Sequence, residues 1–285
     1  MAGDLHTHTT WSDGSNPARL LPGMAARIGL THLAISDHDS LRSVRYAWEH
    51  PEQEGVSLIP ATELTAYDFE RGRRVHILCY WPQDCAALRD FCDTMARRRL
   101  ACGLETARLL EERFPQFRTE MVLEHAKDSG ILFKAHAMRA LMDIGAADQI
   151  YGALYRELFG TRHAPGPVAR NPEYESVDAV LEVIRQSCGV AVLAHPSVYR
   201  SMELAAQLAA EGRIDGVEID HPRNTPEDRA ELHRLADRYG LIVTGGTDYH
   251  GMNSRQPRPL GTCTTADVQI ERIRALAQAR SQAAL

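Results

Sequence analysis

The sequence predicts a protein of the α/β class, built as a single barrel that carries a helical insertion. Short runs rich in valine, isoleucine and leucine alternate with helical stretches, which is typical of parallel strands joined by helical crossovers. The length of 285 residues accommodates a barrel of about 250 residues together with an insert. Histidines and carboxylates follow or end the apolar runs, at the place where barrels of this type collect their functional residues.

The order of elements follows from the apolar runs and from the residues that punctuate them. Strands are predicted at residues 32–36, 56–60, 75–80, 190–194, 217–220 and 241–244. Gly29 is expected to end the first helix, and Pro22 to delay or kink its start. Ser176 is expected to open one later helix, while Thr225 caps and Gly240 stops another. Parallel strands separated by such helices predict a barrel.

The central part of the chain differs from both ends. Residues 85–165 are dense in alanine, leucine, arginine and glutamate at helical spacing, and they predict an all-helical insertion subdomain in which Thr119 caps one helix. The proline and glycine cluster at residues 165–167 marks the return to the barrel. Residues 1–84 and 166–285 are therefore predicted to form the first and second parts of the barrel.

The composition excludes several classes of protein. With 44% hydrophobic and 25% charged residues, the chain has the balance of an ordinary globular protein. A net charge of −6 argues against a protein that wraps duplex nucleic acid, because such proteins need a basic face. The six cysteines form no Cys-x-x-Cys pair, so we expect reduced, packed thiols. Without a signal peptide or a membrane span in the sequence, a cytoplasmic location and no membrane partner are expected.

Seven histidines and three carboxylates at the ends of apolar runs indicate a metal site. Two pairs of these residues are separated by a single residue, and in a strand such pairs point to the same side. The residues of the pattern are His6, His8, Asp13, His38, Glu63, His76, His136, His195, Asp248 and His250. Because one ion takes four to six donors, this surplus predicts two or three ions that share a bridging carboxylate.

Six motifs in this order resemble those of the PHP (polymerase and histidinol phosphatase) family, and together they span nearly the whole chain. They are Asp4-Leu5-His6-Thr7-His8, Ser36-Asp37-His38-Asp39, Thr62-Glu63-Leu64-Thr65, Val75-His76-Ile77-Leu78, Ala194-His195-Pro196 and Gly246-Thr247-Asp248-Tyr249-His250. The resemblance implies a distorted TIM-like (β/α)7 barrel, the PHP fold, and a metal-dependent phosphoesterase.

The same resemblance implies how the ligands divide among three ions. His6, His8, Glu63 and Asp248 would hold one ion, Glu63, His76 and His136 a second, and Asp13, His38 and His250 a third. Glu63 would bridge two of them, and Glu63 and Asp248 would act in catalysis through the metals. Imidazole mixed with carboxylate suits manganese, with iron and zinc as alternatives. A metal-bridging hydroxide is the expected nucleophile, because coordination lowers the pKa of water from about 15.7 to about 7.

Other residues are predicted to contact the substrate. His195 is the candidate general acid or phosphate donor, and a role as metal ligand is the alternative. Phosphate also needs cationic or hydrogen-bonding donors beyond the metals, and the candidates are Lys134, Arg170, His221 and Arg223. Lys134 stands where members of this family typically carry arginine. The basic run at residues 97–99 indicates a solvated helix face, with contact to a nucleotide phosphate as the alternative.

Within this family the chain resembles stand-alone bacterial enzymes that remove the 3'-phosphate from nucleoside 3',5'-bisphosphates and trim short RNAs from the 5' end. We therefore expect a small phosphorylated nucleotide as substrate, short single-stranded RNA as a second substrate, and no obligatory protein partner. The alternatives are a histidinol-phosphate phosphatase and a non-catalytic metal-binding module. The histidines without motif context are assigned to surface or helix positions, and they are His32, His50, His125, His163 and His233.

Overall fold

The computed structural model describes residues 2–161 and 164–284, and ten strands in these residues form one sheet. The strands are β1 (Ala2–Thr7), β2 (His32–Ile35), β3 (Glu52–Gln53), β4 (Val56–Asp68), β5 (Arg73–Tyr80), β6 (Glu175–Ser176), β7 (Val190–Leu193), β8 (Gly216–Asp220), β9 (Ile242–Gly245) and β10 (Thr265–Ala266). Their order is β10-β1-β2-β4-β5-β7-β8-β9, with the short strands β3 and β6 beside β4.

The sheet curls into a nearly closed barrel of seven principal strands, and this confirms the predicted fold class. Strand β10 pairs with β1 on one side. On its other side the Thr265 hydroxyl donates to the Gly245 carbonyl of β9 at 2.8 Å, and the Gly245 N–H donates to the same hydroxyl at 2.8 Å. One threonine side chain therefore links the two edges of the sheet.

The strand direction departs from the prediction at β5. Strands β1, β2 and β4 are mutually parallel, as are β7, β8 and β9. Strand β5, however, runs antiparallel to both β4 and β7, so the prediction of parallel strands throughout was wrong there. The segment predicted as a strand at residues 56–60 extends to Asp68 and turns directly into β5, leaving no room for a crossover helix. This hairpin places His76 opposite Thr65, two residues from Glu63.

The helices surround the barrel and fill the interval between β5 and β6. They are α1 (Leu21–Arg27), α2 (Arg42–Glu49), α3 (Ala86–Arg113), α4 (Thr119–His125), α5 (Lys134–Asp143), α6 (Ala153–Phe159), α7 (Val177–Gln186), α8 (Pro196–Tyr199), α9 (Met202–Ala210), α10 (Pro226–Tyr239) and α11 (Asp267–Ala283). The Ser176 and Thr225 side chains cap α7 and α10 as predicted, and Gly240 ends α10 with a left-handed φ of 67°. Pro22 lies in the first turn of α1, where a missing N–H costs nothing.

The predicted cap at Thr119 was wrong. Thr119 is the first residue of α4, and the cap position belongs to Arg118, which makes no side-chain capping bond. The Thr119 N–H instead donates to the Glu111 carboxylate of α3 at 2.6 Å. A side chain of the preceding helix therefore satisfies this N–H group.

Helices α3 to α6 have an apolar core of their own, separate from the core of the barrel. Leu88 and Met95, in the first half of α3, pack against the barrel, whereas Leu110 near its end packs into the helical core. The helical core extends to Val168, just past the predicted boundary at residue 165. The long helix α3 therefore joins the two cores, and the predicted domain boundaries stay a prediction. Within the described ranges, no helix has both the length and the apolar character needed to cross a membrane.

Candidate metal centre

The ligand candidates come from different strands but meet at one mouth of the barrel. They lie near the ends of β1, β2, β7 and β9 and within the hairpin of β4 and β5. The residues that converge there are His6, His8, Asp13, His38, Glu63, His76, His195, Asp248 and His250. The C-terminal ends of parallel strands meet at one edge of a barrel, and the reversed strand β5 enters the same edge by its first half.

Glu63 stands at the centre of the group and is fully buried. Its oxygen Oε1 lies 2.9 Å from a ring nitrogen of His76 and 2.9 Å from one of His195, and Oε2 lies 2.9 Å from one of His38. Burial raises the pKa of this carboxyl, but the surrounding imidazoles, led by that of His76, lower it to well below its ordinary value. Glu63 is therefore an ionised carboxylate that several imidazoles face at once, as a bridging ligand requires.

Two further carboxylates extend the centre towards solvent. The Asp248 oxygen Oδ1 lies 3.3 Å from His8 Nε2 and 3.6 Å from His6 Nε2. The Asp13 oxygen Oδ1 lies 3.2 Å from His250 Nε2. Burial lowers the pKa of His250, but Asp13 and Asp248 raise it, and the net result is a pKa of about 9. Each carboxylate is therefore surrounded by the imidazoles with which it could share an ion.

The polar atoms at this mouth have the properties expected of metal ligands. Several are buried and make no well-aligned hydrogen bond in the described part of the chain, and among these are His6 Nε2, both ring nitrogens of His8, Asp13 Oδ1, His38 Nδ1 and Glu63 Oε2. Donors about 2.0–2.2 Å from one ion lie about 3–3.5 Å from each other, and the measured separations within the group are close to this range. The arrangement therefore fits bound ions.

The structure divides these donors into four overlapping groups. They are His8, Asp13, His38 and His250; His6, His8 and Asp248; His6, Glu63 and His195; and His38, Glu63 and His76. Eight of the nine predicted metal ligands belong to at least one of them. This overlap, centred on Glu63, suits two or three ions that share ligands.

His136 is the predicted ligand that the structure does not bring to these groups. It lies in the first turn of α5, and its Nδ1 accepts the N–H of Phe133 at 3.3 Å. The position that we expected it to fill, beside Glu63 and His76, is taken by His195, whose ring lies 5.3 Å from that of His76. Among the described residues the structure therefore brings His195, and not His136, to Glu63, and the ligand set of the second ion stays a prediction.

A buried carboxylate, that of Asp37, holds the loop that carries Asp13. Asp37 accepts from the Thr9 N–H at 2.8 Å, from the Thr9 hydroxyl at 2.7 Å and from the Ser12 hydroxyl at 2.5 Å. These bonds fold the loop after β1 back towards β2, and Gly14 lies so close that an added Cβ would be 2.4 Å from the His8 carbonyl oxygen. This tight loop brings Asp13 close to His38.

A cavity of about 540 Å³ opens directly onto the predicted metal ligands. All the predicted substrate-binding residues line it, namely Lys134, Arg170, His195, His221 and Arg223. Two arginines that the sequence did not single out as site residues, Arg74 and Arg99, line it as well. The Arg74 guanidinium lies 4.8 Å from the Tyr199 ring, which in turn lies 4.8 Å from the His76 ring. One aromatic ring therefore separates this cation from a predicted ligand.

The cations of the cavity differ in whether a carboxylate already neutralises them. Arg170 Nε lies 2.6 Å from the Glu105 carboxylate. Lys134 contacts the Asn171 side-chain oxygen at 3.2 Å, and burial, together with the nearby Arg74 and Arg99, lowers its pKa to about 8. In the parts of the chain that the structure describes, neither Lys134 nor Arg74 has a carboxylate within ion-pair distance. These two cations remain available for an anionic ligand.

The prediction of a solvated face at residues 97–99 was wrong for Arg99. Its side chain is only 10% exposed, and its Nε donates to Asp39 Oδ2 at 3.0 Å. The same guanidinium lies 5.1 Å from the Phe133 ring. A run of three arginines does not reveal which of them faces the protein, because this depends on a partner 60 positions away.

His221 has a defined hydrogen-bonding state at the cavity wall. Its Nδ1 accepts the N–H of Arg223 at 3.1 Å, so the neutral ring carries its proton on Nε2. That Nε2 lies 3.5 Å from Asp248 Oδ2.

Glu218 is a further site residue that the sequence analysis did not single out. It is fully buried on β8 and contacts His6 and His195. An acidic residue between Val217 and Ile219 of a predicted strand was the only sequence signal for it.

Of the histidines assigned to surface or helix positions, the four that the structure describes belong to none of the metal groups. His32 is half-buried on β2, His50 and His125 lie at the ends of helices, and His233 is exposed on α10. His163 lies outside the described residues.

Known proteins with similar sequences share a chemistry. No family model matches the chain. It is 38% identical over 258 residues to the phosphoribosyl 1,2-cyclic phosphate 1,2-diphosphodiesterase of Eggerthella lenta, covering 90% of this chain and 97% of that protein. It is 30% identical over 255 residues to the 5'-3' exoribonuclease Rnm of Salmonella typhimurium, covering 87% and 84%. It is 26% identical over 261 residues to the 3',5'-nucleoside bisphosphate phosphatase of Chromobacterium violaceum, covering 87% and 86%.

A solved structure resembles the whole chain. The metal-dependent phosphoesterase of Bifidobacterium adolescentis superimposes with a TM-score of 0.86 at 29% identity, and 96% of each chain is covered. The names of these relatives and of this structure all denote enzymes that hydrolyse phosphoesters.

Proposed function

Because the chain belongs to the PHP family of metal-dependent phosphoester hydrolases, we propose that it cleaves one phosphoester of a ribose that carries a second phosphate. The observation that carries this proposal is the pair of cations Arg74 and Lys134, which have no carboxylate partner in the described residues and line the same cavity as the metal ligands. A substrate with two phosphates places one at the ions and the other at these cations.

Nucleoside 3',5'-bisphosphate is the first candidate substrate, cleaved at the 3' position to give 5'-AMP and phosphate from the adenosine compound. A phosphoribosyl cyclic phosphate is the second candidate, favoured by the relative that is 38% identical over nearly its full length. Both are riboses with two phosphate groups, so both suit a cavity with two anion sites. Short single-stranded RNA is proposed as a further substrate. The two cations could hold one of its phosphates while another phosphate lies at the ions.

Two to three divalent ions are proposed as cofactors, with manganese first and iron or zinc as alternatives. His6, His8, Asp248 and Glu63 would hold one ion; Glu63, His76 and His195 a second; and Asp13, His38 and His250 a third. Bound there, the ions would supply hydroxide at neutral pH and neutralise phosphate oxygens.

The protein's own residues bind and orient the substrate. Glu63 stays ionised in a fully buried position and keeps the imidazoles pointing inward. His221 lines the cavity, and its protonated Nε2 is the proposed donor to a phosphate or leaving-group oxygen. It takes this role in place of His195, whose Nε2 lies 2.9 Å from Glu63 Oε1. Lys134 and Arg74 hold the remote phosphate, and binding energy gained there helps to reach the transition state.

A substrate panel tests the proposal. Protein purified with manganese is incubated with adenosine 3',5'-bisphosphate, a phosphoribosyl 1,2-cyclic phosphate, 3'-AMP, 5'-AMP, histidinol phosphate and a short RNA, and phosphorus NMR identifies the ester that is cleaved. We expect kcat/KM for a ribose with two phosphates to exceed that for 3'-AMP and histidinol phosphate. Preference for histidinol phosphate would support the alternative phosphatase. No release from any phosphoester with metals bound would support a non-catalytic module.

A further inference from the structure

We propose that Glu218 is a positioning residue that sets the orientation of ligands of two different ions, an inference that rests on the metal sites of the proposed function. Glu218 lies in the middle of β8 and is fully buried. Its two carboxylate oxygens contact two different ligand residues, one through a ring nitrogen and the other through the backbone.

The first oxygen defines the tautomer of His6. Glu218 Oε1 lies 2.9 Å from His6 Nδ1, and an ionised carboxylate can only accept, so Nδ1 carries the proton. The lone pair of His6 is then on Nε2, which lies 3.2 Å from Glu63 Oε1 and 3.6 Å from Asp248 Oδ1. A carboxylate behind a ligating imidazole fixes the tautomer and the ring orientation of that ligand.

The second oxygen holds the backbone that carries His195. Glu218 Oε2 accepts the His195 N–H at 2.9 Å. His195 has a φ of 29°, a conformation that a residue with a side chain rarely adopts, and it stands between β7 and Pro196 of α8. The hydrogen bond therefore restrains the peptide that aims the His195 ring at Glu63, where Nε2 lies 2.9 Å from Oε1.

The surroundings of Glu218 favour positioning over stabilisation of the fold. Burying a carboxylate is costly unless it is well paired, and in the described residues no lysine or arginine lies within ion-pair distance of this one. The partners of its side chain are groups of His6 and His195. The carboxylate is therefore hydrogen-bonded to the two residues that it orients.

Replacing Glu218 by Gln tests the proposal, because an amide cannot accept at both ends. In one orientation its NH2 group faces the N–H of His195, and in the other it faces Nδ1 of His6 and displaces the proton from that nitrogen. Asp215→Asn is the matched control. Asp215 directly precedes the same strand, accepts the Ala191 N–H at 2.8 Å and pairs with Arg280 at 2.6 Å, but touches no predicted ligand.

The measurement is metal affinity rather than activity. Metal-free protein, checked for its fold by circular dichroism, is titrated with Mn²⁺ while electron paramagnetic resonance reports the free ion. We expect Glu218→Gln to weaken binding of the two ions nearest Glu63 by about 10- to 100-fold and to spare the site at Asp13. We expect Asp215→Asn to bind within threefold of the wild-type protein.

Each result decides for or against the role of Glu218. Wild-type affinity of Glu218→Gln at every site would overturn it while leaving the proposed metal centre intact. An equal loss in Asp215→Asn would also overturn it, because a general loss of stability would then explain both. If Glu218→Gln does not fold, Glu218→Asp replaces it, since the shorter side chain keeps the charge but cannot reach both partners. Unchanged Mn²⁺ affinity of Glu218→Asp would refute the proposal.

Discussion

The buried ion pair between Arg99 and Asp39 joins the helical insertion to the barrel, and we predict that Arg99→Met destabilises the protein strongly. Arg99 lies in α3, and its Nε and Nη2 reach Asp39 Oδ2 at 3.0 and 2.5 Å. Its Nη2 also donates to the Thr65 hydroxyl at 2.8 Å. The Asp39 side chain is completely buried and directly follows His38.

The magnitude follows from what the substitution leaves behind. Methionine fills much of the volume of arginine but leaves the Asp39 carboxylate buried without its cation, and breaking such a pair typically costs about 3–5 kcal/mol of the free energy of unfolding. The Thr65 N–H still donates to Asp39 at 2.7 Å, so we expect the lower part of this range. At about 2 °C per kcal/mol for a chain of this size, Tm should fall by about 6–8 °C.

Urea unfolding followed by circular dichroism measures the effect, with Arg98→Met as the matched control. Arg98 is the preceding residue of α3 and pairs with Glu175 at 2.8 Å, but both side chains are partly exposed. Such pairs contribute about 0–1 kcal/mol. A loss below about 1 kcal/mol in Arg99→Met, or one equal to that in Arg98→Met, would refute the reasoning. A double-mutant cycle with Asp39→Asn should show losses that are less than additive.

The remaining predictions concern the metals and the substrate. Glu63→Gln removes the shared ligand, so the folded protein should lose bound manganese in elemental analysis. Its kcat/KM should fall by more than about 100-fold. Wild-type turnover with full metal content would contradict this. His195→Ala should lose about one ion per chain and His136→Ala none, and the reverse result would restore the original assignment. Lys134→Met should raise KM for adenosine 3',5'-bisphosphate by about tenfold and leave KM for 3'-AMP nearly unchanged in steady-state kinetics. An equal rise of KM for both substrates would exclude a role of Lys134 in binding the second phosphate.

Much of the centre could be predicted from short segments of sequence. The spacing of His6 and His8, and of Asp248 and His250, follows from the period of a strand, which is a local property. The caps at Ser176 and Thr225 are equally local, because a cap depends on residues within one turn. The order of the motifs was sufficient to indicate the family and the barrel.

Contacts between distant segments were decided only by the tertiary structure. Apolar runs locate strands but carry no information on direction, so the antiparallel course of β5 appears only when it pairs with β4 and β7. His195, and not His136, lies beside Glu63 and His76, although both histidines belong to the same sequence pattern.

Charged residues show the same division between local and distant information. The sequence alone placed Arg99 in a run of three arginines and Glu218 in an apolar strand. Their roles depend on Asp39 and on His6, which lie 60 and 212 positions away along the chain. A buried charge is tolerated only where a partner meets it in space, and that meeting is produced by the closure of the barrel and the packing of α3 against it.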